Sequence, residues 1–316
     1  MDWTDRHCRA FHRVLTKQAL LYTEMAVDQA IIHGDRNYII GFDPAEHPVA
    51  IQLGGSDPET LSEASKIAAE FGYAEINLNV GCPSDRVQSG RFGACLMREP
   101  ALVRDCLIAM REAVSVPVTV KHRLGVDDQD PTQTLFEFVE TVRQSGVTRF
   151  TVHARKAWLN GLSPKENRDV PPLDYALVHR LKAEHPDLHI SLNGGLETLD
   201  HGLENRNDLD GLMFGRAAYH TPWMLGDVDR RVFGQPNPVG SRVEAVEAYR
   251  PYIEQQLAQG LRLHSITRHI LGLFSGCAGA RKWRQILSSQ ATQAGAGWDV
   301  VERALEPVRG EKQVAA

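Results

Sequence analysis

Several apolar runs in this chain end in residues able to do chemistry. The run at 49–53 carries Gln52 and leads into two glycines. The run at 75–80 carries Asn77 and Asn79 and turns through Gly81, Cys82 and Pro83. Later runs end in Lys121-His122-Arg123, in His153 with Arg155, in Asn193-Gly194-Gly195, and in Gly215-Arg216. Cys82 is the most pointed of these. A free thiol has a pKa of about 8.5, so it can serve as a nucleophile or as a proton donor. A nucleophile needs an activating base, and no His/Asp pair stands close by in sequence. A donor needs reach and mobility, and Gly90 and Gly93 downstream read as hinges of a lid. Cys95, among apolar neighbours, reads as packing.

The other chain ends admit more than one reading. Lys121 closes an otherwise apolar run, so its ammonium suits an anionic partner or an electron-rich ring; a lysine snorkelling to solvent is the plain alternative. His153 also reads as a satisfied core histidine, the commoner fate of a lone one, and Gln52, Asn77 and Asn79 as strand-end polar residues bonding to turn backbone. The glycines at 194, 195 and 215 could free backbone N–H groups to hold a phosphate, with Arg216 adding charge, or could simply make tight turns. It is the coincidence of six polar ends that points to a site.

Such ends need a scaffold that gathers them. Seven β-rich runs lie near Tyr22 and at 49–53, 75–80, 117–122, 149–154, 188–193 and 210–214. Helical patterns separate them, as in "DPETLSEASKIAAEFG", where Asp57 reads as a cap, Pro58 as the first helical position and Gly72 as the stop. Strands alternating with helices imply a parallel sheet, and chemistry at the C-terminal strand ends implies a (β/α)8 TIM barrel. Eight strands are needed, and the missing one is expected first, because "DWTDRHCRAFHRVL" reads as the helix that follows it. The rival, an open doubly wound sheet, lacks its G-x-G-x-x-G fingerprint. Residues 1–233 are assigned to the barrel and 234–242, "GQPNPVGSR", to a linker. Residues 243–316 are expected to form a bundle of about four helices, with Val243, Val246, Tyr249, Ile253 and Leu257 on one face and Ile266, Ile270 and Leu273 on another.

Composition narrows the class. Hydrophobic residues make up 42% of the 316, enough for a sizeable core. No run approaches the roughly 20 apolar residues of a membrane span, and the charged N-terminus is no signal peptide, so a cytoplasmic protein is expected. Five cysteines without a C-x-x-C pair suggest free thiols and no metal site. The net charge of −5 speaks against a nucleic-acid partner. Its distribution speaks for one: from Gln255 to Trp298 there is no acidic residue, while Arg262, Arg268, Arg281, Lys282 and Arg284 all fall there.

"EINLNVGCPSDRVQSGRFGACLM", "VPVTVKHRLGVDDQD", "TVHARKAWLNGLSPKENRDVPPLDY" and "NGG…GLMFGRAAY" together resemble the tRNA-dihydrouridine synthases, and among them the A branch. The resemblance runs from Asp2 to about Glu306. It departs at the N-terminus, where the family's "APM"-type residues, which touch the flavin, have no counterpart. The resemblance implies an FMN-dependent reduction of uridine in the tRNA D-loop at positions 20 and 20a, with NADPH (or NADH) as reductant. It further implies that Cys82 protonates C5 and that Asn79 holds the uracil. Gln52, Lys121, His153, Asn193, Gly194, Gly195, Gly215 and Arg216 would contact FMN. Lys165, Arg168, Arg281 and Arg284 would meet tRNA. No metal and no obligate protein partner are implied, and a monomer is expected. Two other classes remain at this point: an FMN barrel oxidoreductase acting on a small pyrimidine-like molecule, and an RNA-binding barrel without activity.

Overall fold

The computed structural model describes residues 3–310. Asp2, where the resemblance begins, and residues 311–316 of the expected helical domain lie outside the described residues. Seven strands form one sheet in chain order: β1 (Leu21–Val27), β2 (Val49–Gly54), β3 (Glu75–Val80), β4 (Val118–His122), β5 (Arg149–His153), β6 (His189–Asn193) and β7 (Gly211–Met213). From β2 to β7 every neighbouring pair is parallel. Each strand falls on one of the seven expected runs, and the architecture is that of a (β/α)8 barrel one strand short.

The connecting helices begin where local chemistry starts them. In α2 (Pro58–Glu70), Asp57 accepts from the backbone N–H groups of Glu59 at 3.0 Å and Thr60 at 2.9 Å. Gly72, at φ +89°, ends that segment in a conformation that favours glycine. The same Asp-Pro start recurs in α5 (Pro131–Arg143), where Asp130 accepts from Thr132 N–H at 2.9 Å. Between these lie α3 (Asp85–Ser89) and α4 (Pro100–Ala113), and α6 (Tyr175–Glu184) follows β5.

Side chains alternate across a strand. One set, including Ile51, Ile76, Leu78, Val120, Phe150 and Leu192, is buried in a continuous apolar core with Leu61, Leu107, Phe138 and Leu181 of the helices. The other set is largely polar: Gln52, Glu75, Asn77, Asn79, Thr119, Lys121, Thr151, His153 and Asn193. In register, Gln52 stands beside Asn77, Asn77 beside Thr119, Asn79 beside Lys121, and His153 beside Asn193. Parallel pairing therefore lays the functional candidates in rows across the inner face.

Two compact units divide the chain. One comprises Tyr22–Phe42 and Val49–Gly215 and holds nearly all of the sheet. The other takes the residues up to Leu21, Asp43–Pro48, and the chain from Arg216 on. Thus residues 3–21 and 216–233, which the sequence reading placed with the barrel, group with the C-terminal helices. In that unit α1 (Arg6–Leu15) packs Phe11 against Tyr249 of α7 (Arg242–Ala258), with ring centroids 5.2 Å apart. The Tyr249 hydroxyl donates to the backbone carbonyl of His7 at 2.8 Å. Arg13 is buried and donates to four backbone carbonyls, those of Glu46, Thr16, Ala19 and Pro48. Three further helices follow, α8 (Leu263–Thr267), α9 (Ala280–Gln290) and α10 (Trp298–Leu305). Ile266, Ile270 and Leu273 are buried there, as their spacing predicts.

Candidate active site

The thiol turn is built on side-chain amides. Asn79 Oδ1 accepts from two successive backbone N–H groups, Gly81 and Cys82, each at 3.0 Å. Its Nδ2 donates to Gln52 Oε1 at 2.7 Å, and Gln52 Nε2 donates to Asn77 Oδ1 at 2.9 Å. The Cys82 carbonyl in turn accepts from Ala94 N–H at 2.9 Å. Gly93, at φ +74°, permits that return, since a Cβ there would stand 2.6 Å from the Cys82 carbonyl oxygen. Cys82 itself is half-buried, with Sγ 3.6 Å from the Ser84 hydroxyl. Elsewhere in this unit, burial pushes the Cys106 thiol up to about 12 and raises that of Cys95 as well.

Two cations stand within electrostatic reach of Cys82. Lys121 is held down to about 8 by desolvation first and by Arg123 second, with Cys82 opposing. Among the described residues its ammonium makes no hydrogen bond or ion pair. Arg123 is buried and bonds to backbone carbonyls at three points. Its Nε donates to the Gly81 carbonyl at 2.9 Å, and its Nη1 to the carbonyls of Lys156 at 2.9 Å and Asn167 at 3.0 Å. Gln88 of α3 makes a second bridge, from Nε2 to Pro83 O at 2.9 Å and Leu159 O at 2.7 Å. The segment expected to be a lid is therefore fastened both to the thiol turn and to the loop after β5.

That loop carries Lys165, exposed, and Arg168, half-buried, on a single 3-10 turn. Asn167 between them is fully buried; its amide accepts from Trp158 N–H at 2.7 Å and donates to Trp158 O at 2.8 Å. Across the sheet, Gly194 and Gly195 follow β6 at φ +105° and +67°. A Cβ on Gly194 would lie 2.5 Å from the His153 ring, and one on Gly195 would lie 2.4 Å from Leu173. Both positions thus need glycine for conformation and for space. Tyr175 holds the turn by donating to Gly194 O at 2.6 Å, and Asn193 Nδ2 donates to Met213 O at 2.8 Å.

The structure brings Gln52, Asn79 and Cys82 into one hydrogen-bonded group, sets Lys121 beside Asn79 in the strand register, and packs His153 against Gly194. Gly215 is the last residue of this compact unit, and Arg216 opens the C-terminal segment of the other. Arg281 and Arg284 lie in that other unit, exposed on α9, while Trp283, Ile286 and Leu287 of the same helix are buried. Sequence reasoning missed Gln88, Asn167 and the joining role of Arg123. Their partners are mainly backbone carbonyls, which leave no trace in sequence; only the position of Arg123 beside Lys121 at a strand end offered a signal.

The model of the dihydrouridine synthase family matches residues 1–308. The chain belongs to the dihydrouridine synthase family. A tRNA-dihydrouridine(20/20a) synthase of Yersinia pestis is 59% identical, over 96% of this chain and 88% of its own length. The protein of that name from Escherichia coli is 53% identical over 99% and 94% of the two chains. Among solved structures, an old yellow enzyme homologue from Zymomonas mobilis superposes with a TM-score of 0.51 at 12% identity, over 73% of this chain and 84% of that one. That likeness bears on the fold alone. A flavin, which membership of the dihydrouridine synthase family implies, fits the residues present. Among the described residues Lys121 offers an ammonium with no hydrogen bond or ion pair, at the end of a strand whose neighbour carries Asn79.

Proposed function

We propose that this protein is a tRNA-dihydrouridine synthase that reduces the C5–C6 bond of uridine in the D-loop, at positions 20 and 20a. FMN, when bound, supplies hydride to C6, and NADPH or NADH is the reductant that renews it. Gln52, Lys121, His153, Asn193, Gly194, Gly195, Gly215 and Arg216 would hold that cofactor, the lysine facing its electron-rich ring.

The protein's own residues do the rest. Cys82 donates the proton that C5 needs, and a positioned acid typically contributes about 10²–10⁴-fold to rate. Asn79, held by Gln52 and by the turn it caps, contacts the uracil. The base must leave its stack to enter the barrel mouth. Lys165 and Arg168, together with Arg281 and Arg284 on α9, would bind the phosphate backbone. The barrel is thus the reducing domain and the C-terminal helices the tRNA-gripping one, in a cytoplasmic monomer.

The observation that carries this reading is the anchored turn: a half-buried thiol whose backbone N–H is capped by Asn79, the register neighbour of Lys121, where parallel strands end. The test is mass mapping of dihydrouridine in unmodified tRNA incubated with purified protein, FMN and NADPH. Dihydrouridine at 20 and 20a is expected. Product at other D-loop positions only, or none in protein that has bound FMN, would overturn the assignment.

A further inference from the structure

The amide group at the thiol turn does not end at Asn77. Asn77 Nδ2 donates to Thr119 Oγ1 at 2.8 Å, and the Thr119 hydroxyl donates to Glu75 Oε1 at 2.7 Å. The Tyr22 hydroxyl donates to the same oxygen at 2.5 Å. Asn77 is fully buried, and Glu75 and Thr119 are nearly so. Thus one hydrogen-bonded chain runs along the inner face from a carboxylate at the start of β3 to the backbone of Cys82.

Each link fixes the direction of the next. A carboxylate only accepts, so Thr119 must point its proton at Glu75 and offer a lone pair to Asn77. Asn77 then presents Nδ2 to Thr119 and Oδ1 to Gln52. Gln52 must turn Nε2 to Asn77 and Oε1 to Asn79, which leaves Asn79 Oδ1 for the turn. The far end imposes the same polarity independently, because the N–H groups of Gly81 and Cys82 only donate. An amide flip anywhere would set two donors or two acceptors against each other in a buried place.

We propose that Glu75 and Thr119 are positioning residues that set, through Asn77, which end of the Gln52 and Asn79 amides faces the bound flavin and uracil. Neither touches the reacting atoms. The inference rests on the flavin reading above and adds the cause of the amide orientation. A conformational lock of this kind depends on the hydroxyl of Thr119 and not on its volume.

The test compares Thr119→Val, which keeps the shape and loses the hydroxyl, with Thr119→Ser, which keeps the hydroxyl and loses a methyl. FMN affinity is read by quenching of flavin fluorescence, and kcat and KM by dihydrouridine formation. Thr119→Val should weaken FMN about ten-fold and lower kcat, while Thr119→Ser stays within about two-fold. Tyr22→Phe, which removes a donor to Glu75 that lies off the chain, should also stay near wild type. If Thr119→Val does not fold, Asn77→Asp carries the test, since Asp cannot donate to Thr119, and the same loss is expected. Equal losses in Thr119→Val and Thr119→Ser, or none in Thr119→Val, would overturn the proposal. Failure of the wild-type protein to bind FMN would instead overturn the flavin reading, and this inference with it.

Discussion

Two faces of β3 make opposite demands. Ile76, Leu78 and Val80 are fully buried among aliphatic and aromatic side chains of the helices. Glu75, Asn77 and Asn79, one residue away each time, are buried too but are tied into side-chain hydrogen bonds. Apolar packing is non-directional, so the outer face is held by volume and area. The inner face is held by the sense of each hydrogen bond. A strand can therefore carry a stabilising surface and a chemical one with no residue shared between them.

The sharpest break falls at the end of the inner face. Cys82→Ala should slow uridine reduction by about 10²–10⁴-fold while leaving FMN binding and tRNA binding intact. Stopped-flow flavin reoxidation with tRNA measures it; reoxidation at the wild-type rate would remove the thiol from proton transfer. Cys95→Ala, the control on the same segment, should change the rate little.

Next comes the outer face. Leu78→Ala should destabilise by about 2–5 kcal/mol through lost transfer energy and a residual cavity. Denaturant unfolding gives the number. The rate per folded molecule should stay unchanged, and a parallel loss of kcat would mean that the two faces are not independent.

The gentlest effect concerns Lys121. Its folded value of about 8 lies below the 10.5 of an ordinary lysine, chiefly through desolvation. Between those values the unfolded chain binds a proton that the folded one does not, so stability rises with pH across that window. Below about pH 8 both forms are charged and the penalty is constant. In flavin-free protein the slope should approach about 1.4 kcal/mol per pH unit at most, and Lys121→Met should flatten it. An identical pH profile for the two proteins would place the ammonium in solvent.

How much of this could be read from sequence varies by element. All seven strands were legible, because each apolar run is short and most are bounded by glycine or proline. The polar strand ends were legible too, since Asn77 and Asn79 are out of place in an apolar run. Glu75 was not: a carboxylate opening a strand reads as a solvent-facing flank, and only the register with Thr119 shows otherwise. The grouping of α1 with the C-terminal helices was equally hidden. Arg9 and Arg13 give that helix a charged appearance, yet both are buried on Glu46 and on backbone carbonyls.

Arg123 bonds to the thiol turn and to the loop after β5 through three carbonyl oxygens and no side chain. Carbonyls are present whatever residue carries them. The exposed positions of that loop, Trp158, Lys165 and Val170 among them, can therefore change by mutation without untying the joint, provided Asn167 keeps the loop in shape. Such a joint is a place where lineages or engineers can exchange an exposed loop, here the one proposed to meet RNA, while inheriting the scaffold beneath it unchanged.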